Sequence, residues 1–438
     1  MLYLCGIILV ATAFWGNKRL SYGCALMVAL RFILPPIIRI GPISFNTAII
    51  AVLSVLCMYK LGRNSSLHYR VMQKKWMFPF TYLVVPLALF CLCAPLDVAF
   101  QYKALIQFVL TEIMPFYIVA CAIQEKEDYD LILKTFLMSF AIVGIWGIIT
   151  YIIRSNPLYT FFITMPGNEN VANFTGEGFD RIRGGLSSSA SGNLSGPLPW
   201  GQFSLLVFLM IFLYTNIRNK FWGLFLLFLA CANTFLSTKR SVILPMIIAL
   251  AYIFYKNGLK SKKKMLSALF CLVVGLGILS QTKIVDSYVQ NIKSAVLFWN
   301  DDYASKASIS GSSKEGRMLQ LTTAFGMIEN NLLFGLGYNY PAYYESRKGM
   351  HPIMIGYESL LFSVVSSGIM GLFCWFLFFW KGFQFTKGGV ISKEKNILFH
   401  FCYMASLLLT GIQASLFLYM IIIAMIRRKN ELYWEESV

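Results

Sequence analysis

The chain has 438 residues, 57% of them hydrophobic and 13% charged, with a formal net charge of +18. So much apolar surface cannot be hidden in one water-soluble core, which excludes a soluble globular enzyme and implies a multi-span membrane protein. The positive charge does not call for nucleic acid, because Lys and Arg held on the cytoplasmic side of a polytopic chain set its orientation.

Apolar windows long enough to cross a bilayer recur along the whole chain. Spans are predicted near 2–15, 21–38, 43–61, 76–95, 104–123, 131–153, 198–215, 221–236, 241–255, 265–281, 355–380, 396–411 and 413–426, about thirteen in all. The first, MLYLCGIILVATAF, lacks the basic start and small-residue cleavage site of a signal peptide and is read as a span. The expected fold class is therefore all-α: a polytopic membrane protein of about 12–13 transmembrane helices forming one domain over 1–438. The ten cysteines all fall in apolar segments, and Cys91 and Cys93 lack the two-residue spacer of a redox pair, so they read as packing residues.

Two basic connections, Lys60 to Lys75 and Lys256 to Lys264, should face the cytoplasm, and an even number of spans separates them. The same alternation puts Lys18/Arg19, Arg218/Lys220, Lys381 to Lys395 and Arg427 to Lys429 inside. It leaves two long loops, 154–197 and 282–353, on the outer, periplasmic side. Loops of that length in compact proteins usually carry function or are disordered.

In the first loop, Gly192 to Ser195 reads as a flexible tether. Arg181 and Arg183, two guanidinium groups just outside the membrane, suit a phosphate, with lipid headgroup contact as the competing reading. Arg240 opens a span at the outer boundary, where orientation predicts few positive charges. It is a candidate functional cation, against simple snorkelling to headgroups. Arg31 is also out of place, inside the second span, and no neighbour in sequence suggests its partner.

The second loop begins with a predicted surface helix marked by Ile284, Tyr288, Ile292 and Val296. Asp301 and Asp302 read as a solvated turn, with no third acid or His close by to hold a metal. A second amphipathic helix, Arg317 to Asn330, is expected to gather Met318, Leu321, Phe325 and Ile328 on one side. Asn330-Asn331 and the glycines of LLFGLGYNYP should end it.

Several features together resemble the family of O-antigen polymerases and ligases. They are the dozen spans, a long outer loop before the last few, the step Ser237-Thr238-Lys239-Arg240-Ser241 into a span, and a G-R…G-x-G segment before an apolar span holding Gly368 and Gly371. The resemblance implies a GT-C-like architecture and sugar transfer from a polyprenyl diphosphate on the outer face of a bacterial inner membrane, with no cofactor and no metal. The partners it implies are undecaprenyl-diphosphate-linked glycans and membrane lipids, with room for a chain-length regulator and no role for nucleic acid. By position, Arg240 and Arg317 look like the arginines that hold the lipid diphosphate. One departure stands out: ligases resemble one another in a His ahead of the glycine pair, and here that place holds Tyr357-Glu358. His351 lies six residues earlier. This favours a polymerase that joins repeat units over a ligase that moves finished polymer to lipid A-core.

The chemistry is consistent with those residue types. A leaving diphosphate gains charge, which fixed guanidinium groups stabilise best away from bulk water; Arg240 and Arg317 are first choices, with Arg181 or Arg183 third. The attacking hydroxyl must lose a proton, so Glu358 or His351 is the expected base, with Tyr357 beside them. Glu358 has an equal structural reading as the partner of Arg347. The aromatics of the loop, Tyr338, Tyr340, Tyr343 and Tyr344 among them, read as sugar platforms or as interfacial anchors. A transporter of lipid-linked sugars is the third hypothesis, weakened by the lack of a convincing internal repeat and by central parts of the spans that, apart from Arg31, are nearly free of charge.

Overall fold

The computed structural model describes residues 2–36, 38–40, 43–153, 156–163, 192–194, 197–215, 217, 219–237, 239–257, 314–348, 360–388, 392–408 and 415–435. The architecture is all-α, with, among the described residues, one antiparallel pair of two-residue strands, β1 (Arg39–Ile40) and β2 (Ile43–Ser44). The helices are α1 (Leu2–Lys18), α2 (Leu20–Ile33), α3 (Phe45–Arg63), α4 (Ser65–Val71), α5 (Phe80–Cys93), α6 (Val98–Ala122), α7 (Lys126–Ile153) and the short α8 (Pro157–Ile163). Then follow α9 (Pro197–Tyr214), α10 (Lys220–Leu236), α11 (Arg240–Asn257), α12 (Lys314–Ile328), α13 (Tyr340–Lys348), α14 (Leu360–Thr386), α15 (Lys393–Leu408) and α16 (Leu416–Glu435). Every predicted span except 265–281, which lies outside the described residues, has a helix at its place. Four described stretches, Phe45–Arg63, Val98–Ala122, Lys126–Ile153 and Ser363–Thr386, are long and apolar enough to cross a membrane.

The bundle turns apolar side chains outward. On α1, Tyr3, Ile7, Val10 and Phe14 form an exposed stripe at helical spacing, which suits a lipid surround. The centre is α16, whose residues Leu416 to Ile426 are all buried against neighbours that include α6 and α14. Two prolines shape α5 and α6. Pro86 and Pro115 lack the N–H that an α-turn needs, and the turns before them, Phe80–Val84 and Val109–Ile113, widen to π geometry.

Contacts gather the basic turns at one end. Arg19 pairs with Glu125, Glu127 and Asp128 at the α6–α7 turn, and the Arg428 Nε donates to the Ile123 carbonyl. Lys75 pairs with Glu431, the Lys429 Nζ donates to the Tyr214 carbonyl, and the Arg427 guanidinium donates to the Phe385 carbonyl. Just inside this end a buried polar chain joins three helices, α14, α15 and α16. The Thr386 Oγ1 lies 2.8 Å from both Asn396 Oδ1 and His400 Nε2, and His400 Nδ1 lies 3.0 Å from the Tyr419 hydroxyl.

Nine cysteines are described, all free; eight are buried and Cys93 is exposed. Two expectations need correction. The Gly192 to Ser195 stretch is no loose tether where it is described: the Asn156 Nδ2 donates to the Gly192 carbonyl at 2.5 Å, and the Asn193 Nδ2 donates to the Ile33 carbonyl at 2.6 Å. Gly192 has φ +51, and a Cβ there would sit 2.6 Å from the Trp200 ring, so glycine fits this joint for steric reasons and not for flexibility. On α12 the buried face is Ala324 and Ile328, packed on Val364 and Val365, while Leu321 and Phe325 are exposed. Helical periodicity identified the apolar residues but not which of them would face α14.

Candidate functional site

The feature that organises the end away from the basic turns is a break in α14. At Gly368 the backbone leaves helical geometry, with φ 64 and ψ −167, a region essentially confined to glycine. An unbroken helix would run the Ile369 N–H to the Val365 carbonyl and the Met370 N–H to the Ser366 carbonyl. Instead, Val365 O accepts from the Leu336 N–H at 2.8 Å and Ser366 O from the Gly337 N–H at 3.0 Å. Ile369 N–H donates to Leu332 O and Met370 N–H to Leu333 O, each at 3.1 Å. The turn after α12 is thus spliced into the helix ladder, and the break leaves none of these four groups orphaned. In a lipid surround, where an unpaired backbone group costs several kcal/mol, such a break needs a splice of this kind.

Sequence explains why the splice fits. Gly335 (φ +70) and Gly337 (φ +129) take conformations that side chains resist, and a Cβ on Gly335 would lie 2.6 Å from Gly368 N. A Cβ on Gly368 would collide with the Leu333 carbonyl. The G-x-G and the later glycine of the sequence motif are therefore the two sides of one backbone joint.

Gln101, fully buried on α6, secures the turn's exit. Its Oε1 accepts from the Tyr338 N–H at 2.8 Å, and its Nε2 donates to the Leu96 and Cys91 carbonyls at 2.8 and 3.1 Å. Tyr338 is buried with its ring 6.2 Å from Phe108, which makes it a core residue and neither a sugar platform nor an interfacial anchor. On α13, Tyr340 and Tyr344 pair at 6.2 Å, and burial, then Tyr344 and Tyr343, push the Tyr340 phenol above its usual range. Beside the break, the buried Ser363 and Ser366 hydroxyls have no hydrogen-bond partner among the described residues. Buried polar atoms are usually satisfied, so these two mark unspent hydrogen-bonding capacity.

Arg240 is the first residue of α11, within a first helical turn in which the Lys239 carbonyl accepts from the Val242 and Ile243 N–H groups. Arg317 lies near the start of α12. Both therefore stand at helix N-terminal ends, where exposed N–H groups favour anions. α11 packs on α9, α10 and α15, α12 packs on α14, and α14–α15 packing connects the two groups. Arg181, Arg183, His351, Tyr357 and Glu358 lie outside the described residues, as do Ile284 to Val296 and Asp301/Asp302. Among the described residues no three His, Cys, Asp or Glu side chains converge as metal ligands.

The structure supplies what sequence could not, a partner for Arg31. Its Nη2 lies 3.6 Å from Glu112 Oε1, and its guanidinium stacks over the Phe417 ring at 4.4 Å. Glu112 Oε2 accepts the Phe417 N–H at 2.8 Å, capping the start of α16. Glu112 sits in the π turn ahead of Pro115, so the proline indirectly sets the pair's position. Nothing in the local sequence links residues 31, 112 and 417.

Comparison with known families bears on this same region. Residues 224–376 match the O-antigen ligase family model. The matched segment runs from within α10 through Arg240, Arg317 and both sides of the Gly335–Gly368 joint, and ends inside α14. It supports membership of the O-antigen ligase and polymerase family, whose members are glycosyltransferase-like enzymes of polysaccharide assembly, and it does not separate polymerase from ligase. No curated protein matches the chain.

Proposed function

We propose that the protein is a polysaccharide polymerase that joins undecaprenyl-diphosphate-linked repeat units on the outer face of a bacterial inner membrane. The family match, which spans both candidate arginines and the backbone joint, supports sugar transfer in polysaccharide assembly; the observation that favours a polymerase is Tyr357-Glu358 in the place of the ligase His. In this scheme the acceptor hydroxyl attacks the donor's anomeric carbon as the bond to the diphosphate breaks. Arg240 and Arg317, with Arg181 or Arg183, stabilise the departing diphosphate at helix starts that already favour anions. Glu358 or His351, next to Tyr357, takes the acceptor's proton. The Ser363 and Ser366 hydroxyls, unpartnered among the described residues and a few positions after Glu358 in sequence, offer hydrogen bonds to sugar. Glycan donors, membrane lipids and a chain-length regulator are the partners that follow.

The test is a deletion strain whose lipopolysaccharide is resolved on a silver-stained gel, complemented with Arg240→Ala and Arg317→Ala. Loss of a polymerase leaves single repeats on the core, and both variants should reproduce that pattern at unchanged protein level. Normal chain lengths in both would refute the diphosphate assignment.

The family description itself favours a second reading, a ligase. Loss of a ligase leaves full-length polymer on the polyprenyl carrier and none on the core, so the same gel separates the two.

A further inference from the structure

At the opposite, basic end of the bundle, a groove of about 410 Å³ opens between α1, α2 and α7. Its lining includes Trp15, Lys18, Tyr22, Ala25, Ala29 and Thr135. The depression exists because α2 presents alanine at two positions one helical turn apart, where larger side chains would fill the gap between its neighbours. It opens outward, with Trp15 49% and Tyr22 39% exposed at its mouth. From Tyr22 to Ala29 the groove follows eight residues of α2, about 10 Å of helix axis and a third of a bilayer's hydrocarbon core.

The charge at the mouth is uneven. Arg19 is held by Glu125, Glu127 and Asp128, which commits all three acids of the facing turn. Lys18, one residue earlier, is exposed and has no acidic partner within ion-pair distance among the described residues. The mouth therefore offers one cation with no acidic partner among the described residues beside two aromatics of the type that settle at headgroup level, next to the mostly apolar lining of Ala25, Leu26, Ala29 and Leu131.

We propose that this groove is a binding site for an anionic phospholipid of the leaflet at the basic end. Its phosphate sits at Lys18, flanked by Trp15 and Tyr22, and one acyl chain lies over Ala25 and Ala29. The apolar floor gives a membrane lipid an advantage over a free phosphate, and the unpaired lysine gives an anionic lipid an advantage over a zwitterionic one. The site is independent of the sugar-transfer reading, since it shares no residue with the end that carries the α14 break.

The experiment uses the full chain, purified in detergent, stripped of lipid and exposed to phosphatidylglycerol or phosphatidylcholine vesicles of matched acyl chains. Bound lipid is read by native mass spectrometry and stabilisation by thermal unfolding, because a ligand that binds the folded state raises its unfolding temperature. The wild-type protein should retain one phosphatidylglycerol in preference to phosphatidylcholine. Lys18→Gln should lower phosphatidylglycerol retention about fivefold, the scale of one basic residue's attraction to an anionic leaflet. Ala29→Phe, which fills the floor, should abolish retention of both lipids. Should that variant fail to fold, the smaller Ala29→Leu and the surface change Lys18→Gln still decide the matter. Equal retention of the two lipids by the wild type, or unchanged retention in the variants, would overturn the site; so would the same occupancy by inorganic phosphate alone.

Discussion

Replacing Gly368 with alanine tests whether the joint between α14 and the 332–337 turn is what holds the end away from the basic turns together. Two costs arise. A non-glycine residue held in this region of backbone space costs about 1–3 kcal/mol. The new methyl would also collide with the Leu333 carbonyl, which belongs to a backbone and cannot rotate aside. Relief requires the strands of the joint to separate, which endangers the four hydrogen bonds through Leu332, Leu333, Leu336 and Gly337. Each contributes about 0.5–1.5 kcal/mol net, and more where water is excluded. Losing about 3 kcal/mol raises the population of the opened joint about a hundredfold. Hydrogen exchange by mass spectrometry on a peptide covering 332–340 should show that acceleration, with helices at the basic end unchanged. Gly326→Ala is the matched control, since a Cβ there meets nothing within 4 Å. Wild-type protection of residues 332–340 in Gly368→Ala would refute the splice.

The remaining predictions concern other buried polar groups. Arg31→Gln or Glu112→Gln alone should each destabilise the protein by about 3–5 kcal/mol, by stranding the partner charge. The double variant should recover much of that loss, and a thermal-unfolding mutant cycle measures the coupling. Gln101→Leu removes partners from the Tyr338 N–H and from the Leu96 and Cys91 carbonyls, so a loss of about 1–3 kcal/mol per stranded group is expected, again by thermal unfolding. At the basic end, burial alone would raise the Glu431 carboxyl, but Arg428, Lys75 and Arg427 outweigh it and hold the group below its ordinary range. A lowered folded value means that its contribution is present above the unfolded carboxylate's pKa of about 4.3 and is lost as pH falls through the folded value. Melting temperature measured downward from pH 7 should therefore fall less steeply in Glu431→Gln than in the wild type.

Much of the fold was legible because a spanning helix must satisfy its own backbone, so each one is written locally as an apolar run. The ends of α3, α9 and α10 fall within two residues of the predicted spans. The basic turns were legible for a related reason, since alternation along the chain fixes which end each turn occupies, and the Arg19, Lys75 and Arg428 contacts place their turns together. What stayed hidden depends on contacts between distant residues. Arg31 and Glu112 are 81 positions apart and meet only because two helices pack. Asn193 looks like part of a soft Ser/Gly run until the Ile33 carbonyl is placed beside it. Among the site residues, the glycines at 335, 337 and 368 were visible as a motif, but a motif does not say that its members bond to each other. Arg240 and Arg317 were singled out by their position at span and helix starts, and the matched segment includes both positions; their diphosphate role is a proposal.

The joint at Gly368 is made from main chain alone, and this has a consequence for how the protein can vary. A connection built on amides and carbonyls makes no demand on the side chains of Leu332, Leu333, Phe334 and Leu336 beyond room to fit. Three glycines carry the whole sequence cost. The exposed Leu332 and Leu333 can therefore exchange their side chains freely during divergence while the registration of both helices against α14 is preserved. Random mutagenesis of 332–338 should recover many functional sequences varied at 332 and 333, nearly all of them retaining glycine at 335 and 337 and the buried aromatic at 338.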